Sequence, residues 1–562
     1  MTRYMIFLTV PFVFLAYSVS PSQQPRPDLL LFNAHVITMD PKRPSAEAVA
    51  VRGERIVWVG STAEAKRKFP DPARSFDLGG ATLLPGITDA HTHLFSLGES
   101  YLKLNLKDVP TEEEIVKRVR ERVASASPGE WILGWGWDEG RWASRYPTNE
   151  ALNRASPNNP VFLVGLHTFA AWANQRALEI AGINKGTQDP ENGKIIRDEK
   201  TGEPTGILTN KAQELVARHI PALTLEQVKK ALELAADECV RNGLTSVHEA
   251  GVTAVMIQAF RELIKEAKLP LRVYAMLDGA DERLMDEWLA KGPEIDSVRH
   301  RLTIRSVKLF ADGALGSRGA ALFEPYADAP QTNGVVTTSE EAIYQLTRRC
   351  LARGFQVATH AIGDAANHMV LNAYERALNE TPGATDARLR DEHAQVLSPA
   401  DIPRFAKLGV IASTQPVHCT SDMEWAEQRL GPQRIKGAYA WRSVLAAGAH
   451  VPTSSDFPGE TLNPFYGMYA AVTRQDPQGK PEGGWHPEQR MTLEEVLRGY
   501  TVEAAYAEFE EAVKGAVEEG RLADFTVISK DITKIPPKEM LSIRVLKTIV
   551  GAKVEYEARR TN

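Results

Sequence analysis

PGITDAHTHL, residues 85–94, is an apolar run that ends on two histidines one residue apart. Side chains on an extended strand alternate with period two, so His91 and His93 face one side, and imidazole suits borderline divalent ions such as zinc. One such pair is weak evidence by itself. Its weight comes from further metal-ligand candidates at or near the ends of other apolar runs: Lys308 in RSVKLFADGALGS, His360 in QVATHAIGDAA, His393 in RDEHAQVL and Asp456 in VPTSSDFPGE. A closed barrel of parallel strands gathers all its C-terminal strand ends at one face, where ligands far apart in the chain meet.

The strand candidates fit that architecture. They are Gly86–Leu94, Leu244–Glu249, Leu271–Leu277, Thr303–Phe310, Phe355–His360, Leu389–Gln395, Val410–Thr414 and His450–Ser455, with helical patterns between them. The expected fold is a (β/α)8 TIM-type barrel. Capping-box spacings mark helix starts at Thr111 with Glu114, Thr224 with Gln227, Ser398 with Asp401 and Thr492 with Glu495. The stretch 100–222 is too long for a strand-to-helix loop and is expected to form an inserted subdomain in a barrel region spanning 85–512. At the chain ends, DLLLFNAHVITMD and AVAVRGERIVWVG, and then RLADFTVISKD and IRVLKTIVGAKVEYE, alternate like short antiparallel strands. Segments 28–84 and 513–559 are expected to pair as one small β-sandwich.

Composition excludes several classes. In 562 residues, 43% are hydrophobic and 25% charged with a formal net charge of -6, ordinary globular values that leave no basic footprint for nucleic acid. Arg3, the apolar run Met5–Tyr17 and the small residues Ser18 and Ser20 have the layout of a signal peptide over 1–20, which implies a secreted or periplasmic protein. The run is short for a bilayer span, so an uncleaved anchor is the lesser reading. The 3 cysteines do not make a disulfide framework.

Lys308, flanked by Val307, Leu309 and Phe310, would carry its ammonium into low dielectric. Either it loses that charge, and the neutral amine takes up carbon dioxide as a carbamate, or it turns outward or pairs with Asp312 as an ordinary ion pair. Other residues carry open alternatives too. His248 is an oxyanion donor or a hydrogen-bonded structural histidine, with His418 and His167 as weaker candidates. Trp131, Trp135, Trp137 and Trp142, with Asp138 and Arg141 among them, wall an apolar substrate pocket or pack the inserted subdomain. Arg318 grips a carboxylate or carbonyl of the substrate or ties down its own glycine-rich loop.

PGITDAHTHL, GLTSVHEAG, VKLFADGALGSRGA, THAIGDAA, EHAQ, SSDFP and EEGRLADFTVI together resemble the amidohydrolase superfamily, and within it amidohydrolase family 3, the branch that includes N-substituted formamide deformylase. The resemblance runs from about residue 28 to 558 and is looser in LHTFAAWANQRAL and TGILTNKAQELV. It implies a metal-dependent barrel beside a sandwich built from both chain ends. It makes His91, His93, His360 and His393 ligands of two divalent ions, Lys308 their carboxylated bridge, and Asp456 a ligand and proton shuttle. The implied reaction is attack of metal-bound hydroxide on a non-peptide carbon-nitrogen bond of a small molecule. An esterase or lactonase uses the same attack. Deaminases of the superfamily commonly carry a glutamate three residues after the fifth-strand histidine, where this chain reads HAIGD. A binding protein without catalysis is a further alternative, and association into a homo-oligomer is compatible with all of these readings.

Overall fold

A computed structural model describes residues 26–138, 146–166 and 169–559. The segment read as a signal peptide lies outside them. No described helix is long and apolar enough to cross a membrane.

Seven parallel strands form the central sheet: β1 (Ile87–Thr92), β2 (Leu244–Val252), β3 (Arg272–Asp278), β4 (Leu302–Phe310), β5 (Gln356–Ala361), β6 (Arg390–His393) and β7 (Ile411–Ser413), hydrogen-bonded in chain order. Every residue of β1 and β6 is buried, as expected when helices cover one face of a parallel sheet and side chains fill the other. The core runs between sheet and helices through residues such as Leu232, Phe260, Ile304 and Val370.

The expected eighth strand does not form as a regular element. Its backbone still bridges the gap: Ala412 N–H donates to His450 O and Thr414 N–H to Pro452 O, both at 3.0 Å, while Asp456 N–H donates to His91 O at 3.0 Å. Pro452 has no N–H to give, which interrupts a strand ladder. The barrel is therefore nearly closed, by seven strands and one irregular segment.

Helix starts follow local chemistry. Thr224 and Thr492 make reciprocal capping boxes with Gln227 and Glu495, whereas Thr111 accepts from Glu114 N–H without the return bond. The Ser398 box does not form; that helix, Ile402–Leu408, begins after Asp401, whose carboxylate is engaged by His368 and Arg404.

Both chain ends build the sandwich. Phe525–Ile528 pairs antiparallel with Thr82–Pro85, which stitches a six-stranded sheet from N- and C-terminal strands. A four-stranded sheet of Leu29–Phe32, Ala48–Arg52, Arg55–Gly60 and Ser75–Asp77 lies against it. Leu29, Leu31, Val49, Leu83 and Phe525 fill the space between, each worth about 1.5–3 kcal/mol when fully buried. The inserted stretch has its own six-stranded sheet, from Leu104–Asn105 to Pro204–Asn210, and its own apolar clusters.

Candidate metal centre

The strand ends converge as the barrel requires. His91 lies at the end of β1 and His93 just past it, Lys308 sits near the end of β4, His360 on β5, His393 at the end of β6, and Asp456 just past the irregular eighth segment. All six line one cavity of about 400 Å³. His93 Nε2 is 3.2 Å and His91 Nε2 3.7 Å from Asp456 Oδ1. The His360 and His393 rings lie 4.5 Å apart, and those of His91 and His393 5.0 Å.

Two of these residues hold unusual backbone. His393 has φ +82° and Asp456 φ +62°, the left-handed region that side chains disfavour at a cost of roughly 1–3 kcal/mol. By alternation His393 belongs with Asp391, on the face opposite Arg390 and Glu392. The left-handed turn re-aims it toward the mouth.

The donor set fits divalent ions. Nitrogens and oxygens of His91, His93 and Asp456 lie within 4.8 Å of one another, as do those of His393, His418 and Asp456. His360 Nε2 is buried without a hydrogen bond; Asp312 Oδ1, at 3.4 Å, does not meet hydrogen-bond geometry. An orphaned buried imidazole nitrogen among other donors is what a ligand position looks like without its ion. Lys308 is 1% exposed and its Nζ is 3.2 Å from His91 Nε2. Burial pushes its pKa down to about 8. It does not pair with Asp312, whose carboxylate accepts from the backbone N–H groups of Ala321, Ile362 and Gly363.

Beneath the centre runs a buried chain that sequence reasoning missed. Lys514 Nζ is 2.6 Å from Glu508 Oε1, Glu508 Oε1 is 3.4 Å from His248 Nε2, and His248 Nδ1 is 2.8 Å from an Arg390 N–H. Arg390 then forks onto Glu392 at 2.6 and 3.1 Å, and His91 Nδ1 donates to Glu392 at 2.5 Å. Burial alone would raise the Glu392 pKa, but Arg390 and His91 hold it well below the usual carboxylate range. His91 in turn is lowered to about 4, chiefly by burial. With Glu392 anionic, the His91 proton sits on Nδ1 and Nε2 is left bare toward the cavity. The signal in the sequence was period two in RDEH, which puts Arg390 and Glu392 on one face. Gln415 orients the other side, with Oε1 2.8 Å from His393 Nδ1. Asp456 is held well below the carboxylate range: burial opposes this, but the bond from His93 and the charges of His91, His393 and His418 outweigh it.

Several expected site residues lie elsewhere. His248 is fully buried in the chain just described and does not line the cavity, the placement of the hydrogen-bonded structural histidine. Trp137 is fully buried in the core of the inserted subdomain and its indole N–H donates to Leu163 O at 2.8 Å; it is packing and not a pocket wall. Arg318 forks onto Asp328 at 2.8 and 3.2 Å, which ties down its loop, and it is not among the residues lining the cavity. His418 does line the cavity, 3.6 Å from Asp456 Oδ2 and stacked on His393. Arg141, Trp142 and His167 lie outside the described residues.

The comparisons agree with this geometry. A sequence profile described as "Amidohydrolase family" matches residues 74–556. The protein YtcJ of Bacillus subtilis (strain 168) is 33% identical over 533 residues, covering 93% of this chain and 98% of its own. N-substituted formamide deformylase of Arthrobacter pascens is 29% identical over 546 residues, covering 94% and 98%. A crystal structure of a metal-dependent hydrolase from Pyrococcus furiosus superposes with a TM-score of 0.75 at 29% identity, covering 90% of this chain and 99% of that one.

Proposed function

The chain belongs to the amidohydrolase family, and from that premise we propose that it is a metal-dependent hydrolase of a carbon-nitrogen bond, of amide type and not peptide, in a small molecule. One observation carries the reading: six donor residues gathered from five strand ends line one cavity, with His360 Nε2 buried without a hydrogen bond and His91 Nε2 facing Lys308 Nζ. The similarity to a formamide deformylase and to a metal-dependent hydrolase supports it.

His91, His93, His360, His393 and Asp456 would hold two divalent ions, zinc by the borderline character of imidazole with carboxylate. Bound there, such ions supply Lewis acidity that makes water a nucleophile near neutral pH and polarises a carbonyl. Lys308 is assigned a carbamate: its neutral amine would form an N–C bond to carbon dioxide and lose a proton, which would supply an anionic oxygen donor beside the histidines. Burial, and the absence of a carboxylate hydrogen-bonded to Nζ among the described residues, support that modification.

Asp456 acts as the proton carrier. Its carboxylate faces the cavity, is kept ionised by four histidines, takes the proton of the attacking water and returns it to the leaving nitrogen. Glu392 fixes the His91 ring, Gln415 the His393 ring, and Arg390 keeps Glu392 charged. The N-terminal apolar stretch is proposed to direct export, which N-terminal mass mapping of secreted protein checks.

The test is metal content of purified protein with turnover across N-acyl, N-formyl, cyclic-imide and ester substrates. About two transition-metal ions per chain, amide cleavage and loss of both on chelation are expected. An active preparation without metal overturns the reading.

A further inference from the structure

Past the donor residues, the cavity has an apolar wall and an acidic rim. Phe310, Leu315, Ile362 and Trp425 form the wall; Phe310 is 40% exposed although it follows the buried Lys308 by two residues. Asp422 and Glu460 form the rim. Neither carboxylate is loose: Asp422 Oδ2 accepts from the Tyr439 hydroxyl at 2.6 Å and from Gln395 Nε2 at 3.2 Å, and Glu460 Oε1 accepts from the Ser421 hydroxyl at 2.5 Å. These bonds aim both groups and use one oxygen of each.

Among the described residues no arginine or lysine pairs with either, and His418 is the basic side chain nearest Asp422. Arg429 lies over the Trp425 ring at 5.6 Å, but its guanidinium is committed to Asp328 and to the Gly316 carbonyl. Arg318, the residue expected to greet an acidic substrate, is bound to the same Asp328. Among the described residues, the cavity lining has no arginine, and its single lysine is Lys308. A substrate carboxylate reaching this rim would meet two carboxyl groups and no arginine or lysine to pair with. An ammonium or guanidinium would find two carboxylate oxygens and the face of Trp425.

We infer that Asp422, Glu460 and Trp425 select substrates whose group remote from the scissile bond is cationic, and reject those ending in a carboxylate. This rests on the amide-hydrolase reading of the site. It names the substrate class that the reading leaves open.

The experiment uses the metal-loaded full chain and matched N-formyl amides of equal length ending in ammonium, a neutral group or carboxylate. The expected kcat/KM for the ammonium member exceeds that of the carboxylate member by at least about tenfold, the order that one close charge contact supplies. In Asp422→Asn with Glu460→Gln the ratio falls toward one at unchanged metal content. A carboxylate preference in the native protein, or an unchanged ratio in the double variant, overturns the inference. Matched alkyl hydroxamates, which bind metal without turnover, separate the two claims. If no amide is cleaved but ammonium-ended hydroxamates inhibit metal-dependent ester cleavage or bind calorimetrically tenfold tighter than carboxylate-ended ones, the amide reading fails and charge selection stands. Equal binding of the two hydroxamates removes charge selection, whatever the amides do.

Discussion

The Glu392 carboxylate lies 2.5 Å from Nδ1 of His91, and both side chains are fully buried. This contact sets which His91 nitrogen carries the proton, so it governs the centre without lining the cavity. Glu392→Gln should lower metal affinity roughly 10–100-fold, the usual cost of losing such a partner. It also strands Arg390 in the core and should cost about 3–5 kcal/mol of stability. Adding Arg390→Met should recover part of that stability and none of the metal affinity. Metal titration and denaturant unfolding on both variants check this, and unaltered affinity in Glu392→Gln would show that His91 is oriented by something else.

On the proposed carbamate, Lys308→Ala should lose most activity and about one ion per chain, since the oxygens that the carbamate would supply go with the side chain. Short carboxylic acids such as acetate should restore part of the rate, because they supply the missing anionic oxygens. Full metal content with a native rate in the alanine variant would make Lys308 a structural lysine.

Asp456→Asn keeps size and loses the ability to carry a proton. General acid-base catalysis contributes about 10²–10⁴-fold, so kcat should fall by that order, with KM much less affected. A modest loss in kcat with an unchanged pH-rate profile would assign the proton transfer to another group.

Much of the cavity was legible because its donor residues sit where apolar runs end. His91, His93, Lys308, His360, His393 and Asp456 were readable from local text, and the barrel explains why distance along the chain did not matter. What was not legible depends on which residues from different strands meet inside. His248 sits at a strand position that reads like a site residue, yet Arg390 and Glu508 claim it. Trp137 was one of several tryptophans, and only the sheet of the inserted subdomain decides that it points into a core. The eighth strand failed at Pro452, a signal that was present and outweighed by the apolar residues around it.

Arg318 now has a structural expectation. Its guanidinium and that of Arg429 both engage Asp328, and Arg318 itself has φ +60°. Arg318→Lys loses the fork geometry on a partly exposed pair, so stability should drop by less than about 1 kcal/mol. Activity should change by a similar factor on acidic, neutral and cationic substrates. A KM increase confined to acidic substrates would return Arg318 to substrate recognition.

Arg272 on β3 and Asp524 beside the C-terminal sandwich strand form a forked, buried pair at 2.7 and 2.8 Å, which fastens sandwich to barrel. Burial by itself would raise the Asp524 pKa, but Arg272 holds it below the ordinary value. A carboxyl whose folded pKa is depressed adds stability that is present above its unfolded pKa, about 3.9, and lost as pH falls through the folded one. Asp524→Asn leaves Arg272 charged and unpaired, so it should cost about 3–5 kcal/mol near neutral pH. The gap between native and variant unfolding free energies should then narrow as pH drops below the ordinary carboxylate range, because acid protonates in the native chain what the variant has already neutralised. Denaturant unfolding at a series of pH values measures this directly. A gap that stays constant into that acid range would mean that Asp524 is not ionised in the folded state, and that its bonds to Arg272 are those of a neutral group.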